Sequence, residues 1–103
     1  MRYEIVLSPE AVEDLRNLRA NGRAAVRDAI ERHLRHGPTR TSRSRIKRLR
    51  GMSKPQFRLR IGEVRVFYDV VENSVEVLAI VDKTEAQGWL EKLGETDEAS
   101  CAF

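Results

Sequence analysis

Apolar and polar residues alternate at the start of the chain. Tyr3, Ile5 and Leu7 stand against Arg2 and Glu4, with Val6 on the second face. A period of two marks a strand, so residues 2–7 read as a strand mostly buried on one side. Ser8-Pro9 then opens a helix: Ser8 can cap it, Pro9 suits the first helical position, and Glu10, Glu13 and Asp14 favour its N-terminal dipole. Ala11, Leu15 and Leu18 fall on one face. Asn21-Gly22 breaks the period and reads as the short turn of an antiparallel helical hairpin. The second helix runs from about Arg23, carries Val26, Ile30 and Leu34 on one stripe, and ends at Gly37-Pro38.

Residues 38–48 show no apolar period and read as a basic loop, with Ile46 and Leu49 as anchors to the core and Gly51 as its end. Three strands follow. Residues 56–61 alternate Phe57, Leu59 and Ile61 with Gln56, Arg58 and Arg60, and Gly62-Glu63 is a two-residue hairpin turn. Residues 64–71 place Val64, Val66, Tyr68 and Val70 on one face and Arg65, Phe67 and Asp69 on the other. After a turn at Glu72-Asn73-Ser74, residues 75–81 are nearly all apolar, as in a central strand buried on both faces. Thr84 is the expected cap of a last helix over 85–93, with Trp89, Leu90 and Leu93 inward. The order predicts an α+β fold: an N-terminal strand, a helical hairpin, a three-stranded antiparallel meander and a C-terminal helix. Residues 1–93 form one domain in this reading, and 94–103 a flexible acidic tail.

At 103 residues, 41% hydrophobic and 34% charged, the chain can fill one small core and excludes two-domain enzymes and repeat solenoids. No run of 18 apolar residues is present, so no membrane span is expected. The N-terminus does not read as a secretion signal, and the single cysteine, Cys101, allows no intrachain disulfide; the expected compartment is the cytoplasm. Cys101 reads as an inert exposed thiol. His33 and His36 are three apart at a helix end without a third ligand nearby, so no metal is expected there.

Charge is split along the chain. Residues 37–68 hold ten Lys/Arg against one acid, Glu63, a balance of +9, whereas 69–103 hold two Lys against nine acids, a balance of −7. Composition alone leaves two readings open, a polyanion partner or the solvated surface of an arginine-rich chain. The meander narrows the choice. Arg58 and Arg60 project from one strand face about 7 Å apart. Arg65 lies near Arg60 across the turn. If Arg65 also points outward, three guanidiniums share one sheet surface, repel one another and suit phosphate oxygens; the other reading is that they pair with Glu63, Asp69, Glu76 or the acidic C-terminal part.

The Arg-Leu-Arg-Gly at 48–51, Phe-Arg-Leu-Arg-Ile-Gly at 57–62 and Val-Arg-Val-Phe-Tyr at 64–68 resemble the RelE/ParE toxin superfamily, the toxin halves of bacterial and archaeal toxin–antitoxin pairs. Ser8-Pro9 before a helical hairpin, and the run from Val75 to Ala86 followed by Trp89-Leu90, fit the same pattern. The resemblance covers residues 1–93. For the RelE branch it implies a ribosome-dependent mRNA endoribonuclease. In such toxins the 2′-hydroxyl attacks the neighbouring phosphate in the ribosomal A site, with no metal or cofactor. By position, Arg65 and Arg60 would hold the scissile phosphate and Arg58 would position substrate. Lys83 takes the place of the basic residue after the last strand, and Trp89 stands nearest a tyrosine or histidine of the final helix. Trp89 can stack on a base or belong to the core. Lys83, Glu85 and Tyr68 are the proton-transfer candidates, Tyr68 having the strand phase of a buried residue. Arg43, Arg45, Lys47, Arg48, Arg50 and Lys54 would contact RNA phosphates. The resemblance also implies an antitoxin partner in a hetero-oligomer. Its alternatives are a ParE-like, non-enzymatic poison of DNA gyrase and an inactive antitoxin-binding module.

Overall fold

At Ser8 the chain passes from strand to helix. Strand β1 (Glu4–Leu7) ends beside it, and the Ser8 hydroxyl accepts the Ala11 N–H at 3.1 Å at the head of helix α1 (Pro9–Arg16). The computed structural model describes residues 2–96. The turn of the helical hairpin comes earlier than the Asn21-Gly22 pair. Asn17 caps α1, and both Asn21 and Gly22 lie in the first turn of α2 (Ala20–Ala29). There the Asn21 side chain accepts the Gly22 N–H at 2.9 Å, supplying a partner to one of the donors a first helical turn leaves free. One wider π-type turn, Ile30–Leu34, extends α2, and Val26, Ile30 and Leu34 are all buried.

Strands β2 (Ile46–Arg48), β4 (Phe57–Ile61), β5 (Val64–Val71) and β6 (Ser74–Asp82) join β1 in a five-stranded sheet of order β1-β6-β5-β4-β2. β1 runs parallel to β6, and every other neighbour is antiparallel. β2 is a difference from the loop expected over 38–48. Its three residues bury only Ile46, too short a span for a period to show, and pairing with β4 makes the strand. The turn between β4 and β5 is Gly62-Glu63, with Gly62 at φ 56°, a conformation glycine adopts without steric cost. The turn between β5 and β6 is Glu72-Asn73, since Ser74 already pairs with Val71.

One sheet face packs against the helical hairpin. Ala11, Val26, Ile30 and Leu34 meet Leu59, Val66, Tyr68, Val75, Val77 and Ile80 in one core. Each large side chain buried there contributes about 1.5–3 kcal/mol. β6 carries a bulge where Phe67 pairs with Ala79 but Tyr68 with Val77, leaving Leu78 unpaired. α1 satisfies the backbone groups this frees: the Ser8 hydroxyl donates to the Leu78 carbonyl at 3.0 Å, and Asp14 accepts the Ile80 N–H at 3.0 Å. The bulge shifts the strand phase, so Ala79 faces away from the hairpin while Ile80 returns to the core.

Helix α3 (Lys83–Leu93) covers part of the second face. Its cap is Asp82 rather than Thr84: the Asp82 carboxylate accepts the Thr84 N–H at 3.0 Å and the Thr84 hydroxyl at 2.9 Å. Those bonds hold Asp82 below the ordinary aspartate range. An acceptor two residues upstream lets the helix begin at Lys83. Trp89 and Leu90 are half-buried, but Leu93, expected inward, is 65% exposed, beyond the residues α3 lays against the sheet. After Gly94, strand β7 (Glu95–Thr96) pairs with β3 (Met52–Lys54), so the first residues of the expected tail form a small second sheet. The rest of that tail, with Cys101, lies outside the described residues. Among the described residues no helix is long and apolar enough to cross a membrane.

Candidate nucleic-acid groove

Strand alternation puts Arg58 and Arg60 of β4, and Arg65, Phe67 and Asp69 of β5, on the sheet face away from the hairpin. Phe67 is the floor. Trp89 stacks on it, ring centroids 5.0 Å apart and planes 11° from parallel, and this stack docks α3. Beside the stack the sheet stays open. A groove of about 530 Å³ runs between α3 and the segment after β2, lined by Lys47, Leu49, Arg58, Arg65, Phe67, Lys83, Thr84, Ala86, Gln87 and Leu90. Among the described residues four cations line it and no carboxylate does.

The register explains the convergence. Arg58 lies between Lys47 on β2 and Phe67 on β5, and Arg60 lies opposite Arg65. Arg58 is half-buried, and its Nε has no hydrogen-bond partner among the described residues. Burial, then the charges of Arg65 and Arg60, push its guanidinium down from the ordinary arginine value. Arg65 bends back over the turn, donating from Nη1 to the Gly62 carbonyl at 2.8 Å and the Val64 carbonyl at 3.1 Å. These bonds use one terminal nitrogen and fix the fork against the backbone. Glu63, the one acid of the basic segment, is engaged elsewhere: its Oε2 lies 2.9 Å from Lys83 Nζ, and its carbonyl accepts the Lys83 N–H at 2.7 Å. The arginines therefore carry net positive charge into a partly desolvated groove, where an anion gains more than it would in water.

The remaining expected residues scatter. Arg50 lines an adjoining hollow of about 640 Å³ that shares Lys47, Leu49, Gln87 and Leu90 with the groove. Arg48 pairs with Phe57 and lies 5.2 Å over its ring, on the hairpin side of the sheet. Lys54 and Trp89 line a third hollow with Glu95, Arg43 is exposed in the loop, and Arg45 lies near His33 and His36. Glu85 is exposed on α3 and outside the groove lining. Tyr68 is fully buried, donates to the Pro38 carbonyl at 2.6 Å, and its phenol is pushed up by burial; it serves the core. Leu49, expected as a core anchor beside Ile46, lines the groove instead, because it follows the last residue of β2 on the face away from the hairpin, and Thr84 and Gln87 had no sequence signal as groove residues. Their place depends on how α3 docks, although Thr84, Gln87 and Leu90 do share helical spacing.

A family model described as the ParE toxin of the type II toxin–antitoxin system, parDE, matches residues 5–87. No curated protein matches the chain in sequence. Among solved structures, an arginine-to-alanine double mutant of E. coli toxin RelE in the free state superposes with a TM-score of 0.67 at 20% identity, over 88% of this chain and 94% of that one. The toxin–antitoxin complex RelBE2 from Mycobacterium tuberculosis gives 0.63 at 24% identity, over 80% and 99%. The RelE–RelB complex from Pyrococcus horikoshii gives 0.61 at 21%, over 81% and 97%. These likenesses share the α+β architecture described above, and with the family model spanning most of its length the chain belongs to the ParE toxin family of type II toxin–antitoxin systems, within the RelE/ParE superfamily.

Proposed function

We propose that the groove holds an RNA phosphate and that the toxin acts as a metal-independent, ribosome-dependent mRNA endoribonuclease. The observation that carries this reading is the acid-free lining, with Arg58 Nε buried and unpartnered among Arg65, Lys47 and Lys83. In the reaction the 2′-oxygen attacks the adjacent phosphorus. The bond from phosphorus to the 5′-oxygen breaks, leaving a 2′,3′-cyclic phosphate and a 5′-hydroxyl. Arg58 and Arg65 stabilise charge on the non-bridging oxygens, with Arg60 raising the local potential. Lys83, at the groove end of α3, donates the proton to the departing 5′-oxygen, and solvent takes the 2′-proton. Electrostatics supply most of the acceleration in this scheme. A cognate antitoxin neutralises the toxin by covering the same positive face with an acidic segment. The toxin–antitoxin complexes of RelBE2 and of the Pyrococcus RelE–RelB pair support an antitoxin partner.

A second reading is favoured by a specific observation. The groove lining contains no histidine or tyrosine, and Lys83 is already paired with Glu63. With the ParE description of the family model, this suits a non-enzymatic toxin that binds DNA gyrase. Inducing the chain without an antitoxin, followed by primer extension on cellular mRNAs, separates the two. Cuts inside translated codons that vanish when translation is blocked are the expected result. Intact mRNA with arrested growth and DNA breaks would replace the nuclease by the gyrase poison.

A further inference from the structure

A second cationic hollow lies on the other side of the β2 edge. It has a volume of about 330 Å³, and its charged lining consists of Arg32, His33, His36, Arg40 and Arg45. Ile46 forms part of its wall, whereas the next residue, Lys47, lines the groove, so successive residues of one edge strand face the two sites. Among the described residues no carboxylate lines the hollow. The two acids whose fields reach its histidines are engaged: Asp28 lies 3.5 Å from Arg32, and Glu31 accepts from Arg35 Nε at 3.0 Å.

The loop that brings Arg40 and Arg45 here is pinned at both ends. Gly37 N–H donates to the His33 carbonyl at 3.2 Å, and Arg40 N–H to the Gly37 carbonyl at 3.1 Å. Ser42 N–H donates to the Ile46 carbonyl at 2.9 Å, and its hydroxyl accepts the Arg45 and Ile46 N–H groups at 3.0 and 3.2 Å. Those bonds fix the backbone that carries Arg40 and Arg45, while Arg32 keeps Asp28 as its counter-charge. The helical end at Leu34 contributes partial negative charge, but Gly37 already covers one of its carbonyls.

We propose that this hollow is a second anion site, taking a phosphate group of an RNA strand that passes around the β2 edge. The occupant follows from charge and shape. Arg40 and Arg45 on one side, and Lys47, Arg58 and Arg65 on the other, make a positive band around a single edge strand. Forked guanidiniums and imidazole N–H donors match phosphate oxygens. His33 adds pH dependence. Burial, then Arg45 and Arg32, hold its imidazole below the ordinary histidine range, with Asp28 opposing them. A bound phosphate favours the protonated ring, so affinity rises as pH falls through the His33 pKa. The RNA occupant rests on the reading of the groove as an RNA-phosphate site, whereas the anion site itself does not depend on whether the groove cuts RNA.

The test follows the His33 and His36 ring resonances of the full chain by NMR at constant ionic strength. Sodium pyrophosphate is titrated in one arm and a short single-stranded RNA in the other. Saturable shifts at both histidines are expected, with half-saturation raised about tenfold in exposed Arg40→Ala. RNA affinity should lose about 0.7 of its log–log salt slope for each phosphate contact removed. His33→Gln should flatten its dependence on pH. Saturation by both probes supports a site for the phosphate group itself, and saturation by RNA alone supports recognition within a strand. Saturation by pyrophosphate alone overturns RNA as the ligand. Shifts no larger than those from added chloride, or identical in wild type and Arg40→Ala, overturn the site.

Discussion

Arg60 and Arg65 face each other directly across the β4–β5 ladder, two like charges in one cross-strand pair. Such a pair costs stability, on the order of 0.2–1 kcal/mol against a neutral one. Among the described residues no acid lines the adjoining groove to offset it. Arg65 is anchored to the turn carbonyls, while Arg60 is exposed. Arg60→Ala should therefore keep the stability of the fold or raise it by up to about 1 kcal/mol, while weakening growth arrest. Arg65→Ala should abolish arrest with little change in stability, because relief of repulsion offsets the lost turn bonds. Urea midpoints and growth curves check both, and wild-type toxicity in Arg65→Ala would exclude it from the phosphate site.

Asp69 gives the stability curve a pH signature. It is 6% exposed, its Oδ1 accepts the Gln56 N–H at 2.6 Å, and Glu76 is its cross-strand partner. Burial pushes its pKa up, and the Gln56 bond and Lys54 only partly reverse this. A carboxyl whose folded pKa lies above the unfolded value, about 3.9, contributes stability below that value and loses it as pH rises through the folded pKa. Asp69→Asn keeps an acceptor for Gln56 and does not ionise. Its stability relative to wild type should grow as pH is raised from about 4 towards neutrality. A constant difference across that range would show that Asp69 titrates at its unfolded value.

The strand phase that builds the groove is legible in the sequence, because Phe57, Leu59 and Ile61 declare the core side and so assign Arg58 and Arg60 to the other. The same holds for Arg65 opposite Val64 and Val66. What cannot be read is whatever depends on distant pairing. β2 exists because β4 offers it an edge, and that pairing sends Lys47 into the groove and Arg48 to the opposite face over Phe57. The bulge at Leu78 is hidden in an unbroken apolar run, where a slip of phase leaves no polar residue out of place. Asp82 as cap and Gln87 as groove wall likewise follow from where α3 starts and docks.

The β3–β7 clasp is sensitive at Gly94. A Cβ there would sit 2.5 Å from the Met52 methyl and 2.6 Å from the Leu90 carbonyl oxygen, and the second is backbone that closes α3 through the Gly94 N–H. Gly94→Ala should destabilise by about 1–3 kcal/mol, as overpacking does. The loss should concentrate at the end of α3. Amide exchange should accelerate at Lys54 and Glu95 while β5 and β6 stay protected, and uniform acceleration across the sheet would contradict a local clasp.

Arg58 separates stability from activity most sharply. Its guanidinium is half-buried, carries an unpartnered Nε and lies within the fields of Arg60 and Arg65. Without an anion, every one of these features disfavours the folded state. Arg58→Met keeps the length and apolar stem beside Phe67 and Leu49 while removing the charge. Its melting temperature should rise slightly, since a partly buried, solvent-screened charge is replaced by apolar volume. Growth arrest should fall at the same time, since the lost charge is the one the phosphate compensates. Adding pyrophosphate should then stabilise wild type more than Arg58→Met, because a ligand stabilises only in proportion to its affinity for the native state. A variant both less stable and fully toxic would mean that Arg58 is a structural residue and that the groove takes its anion elsewhere.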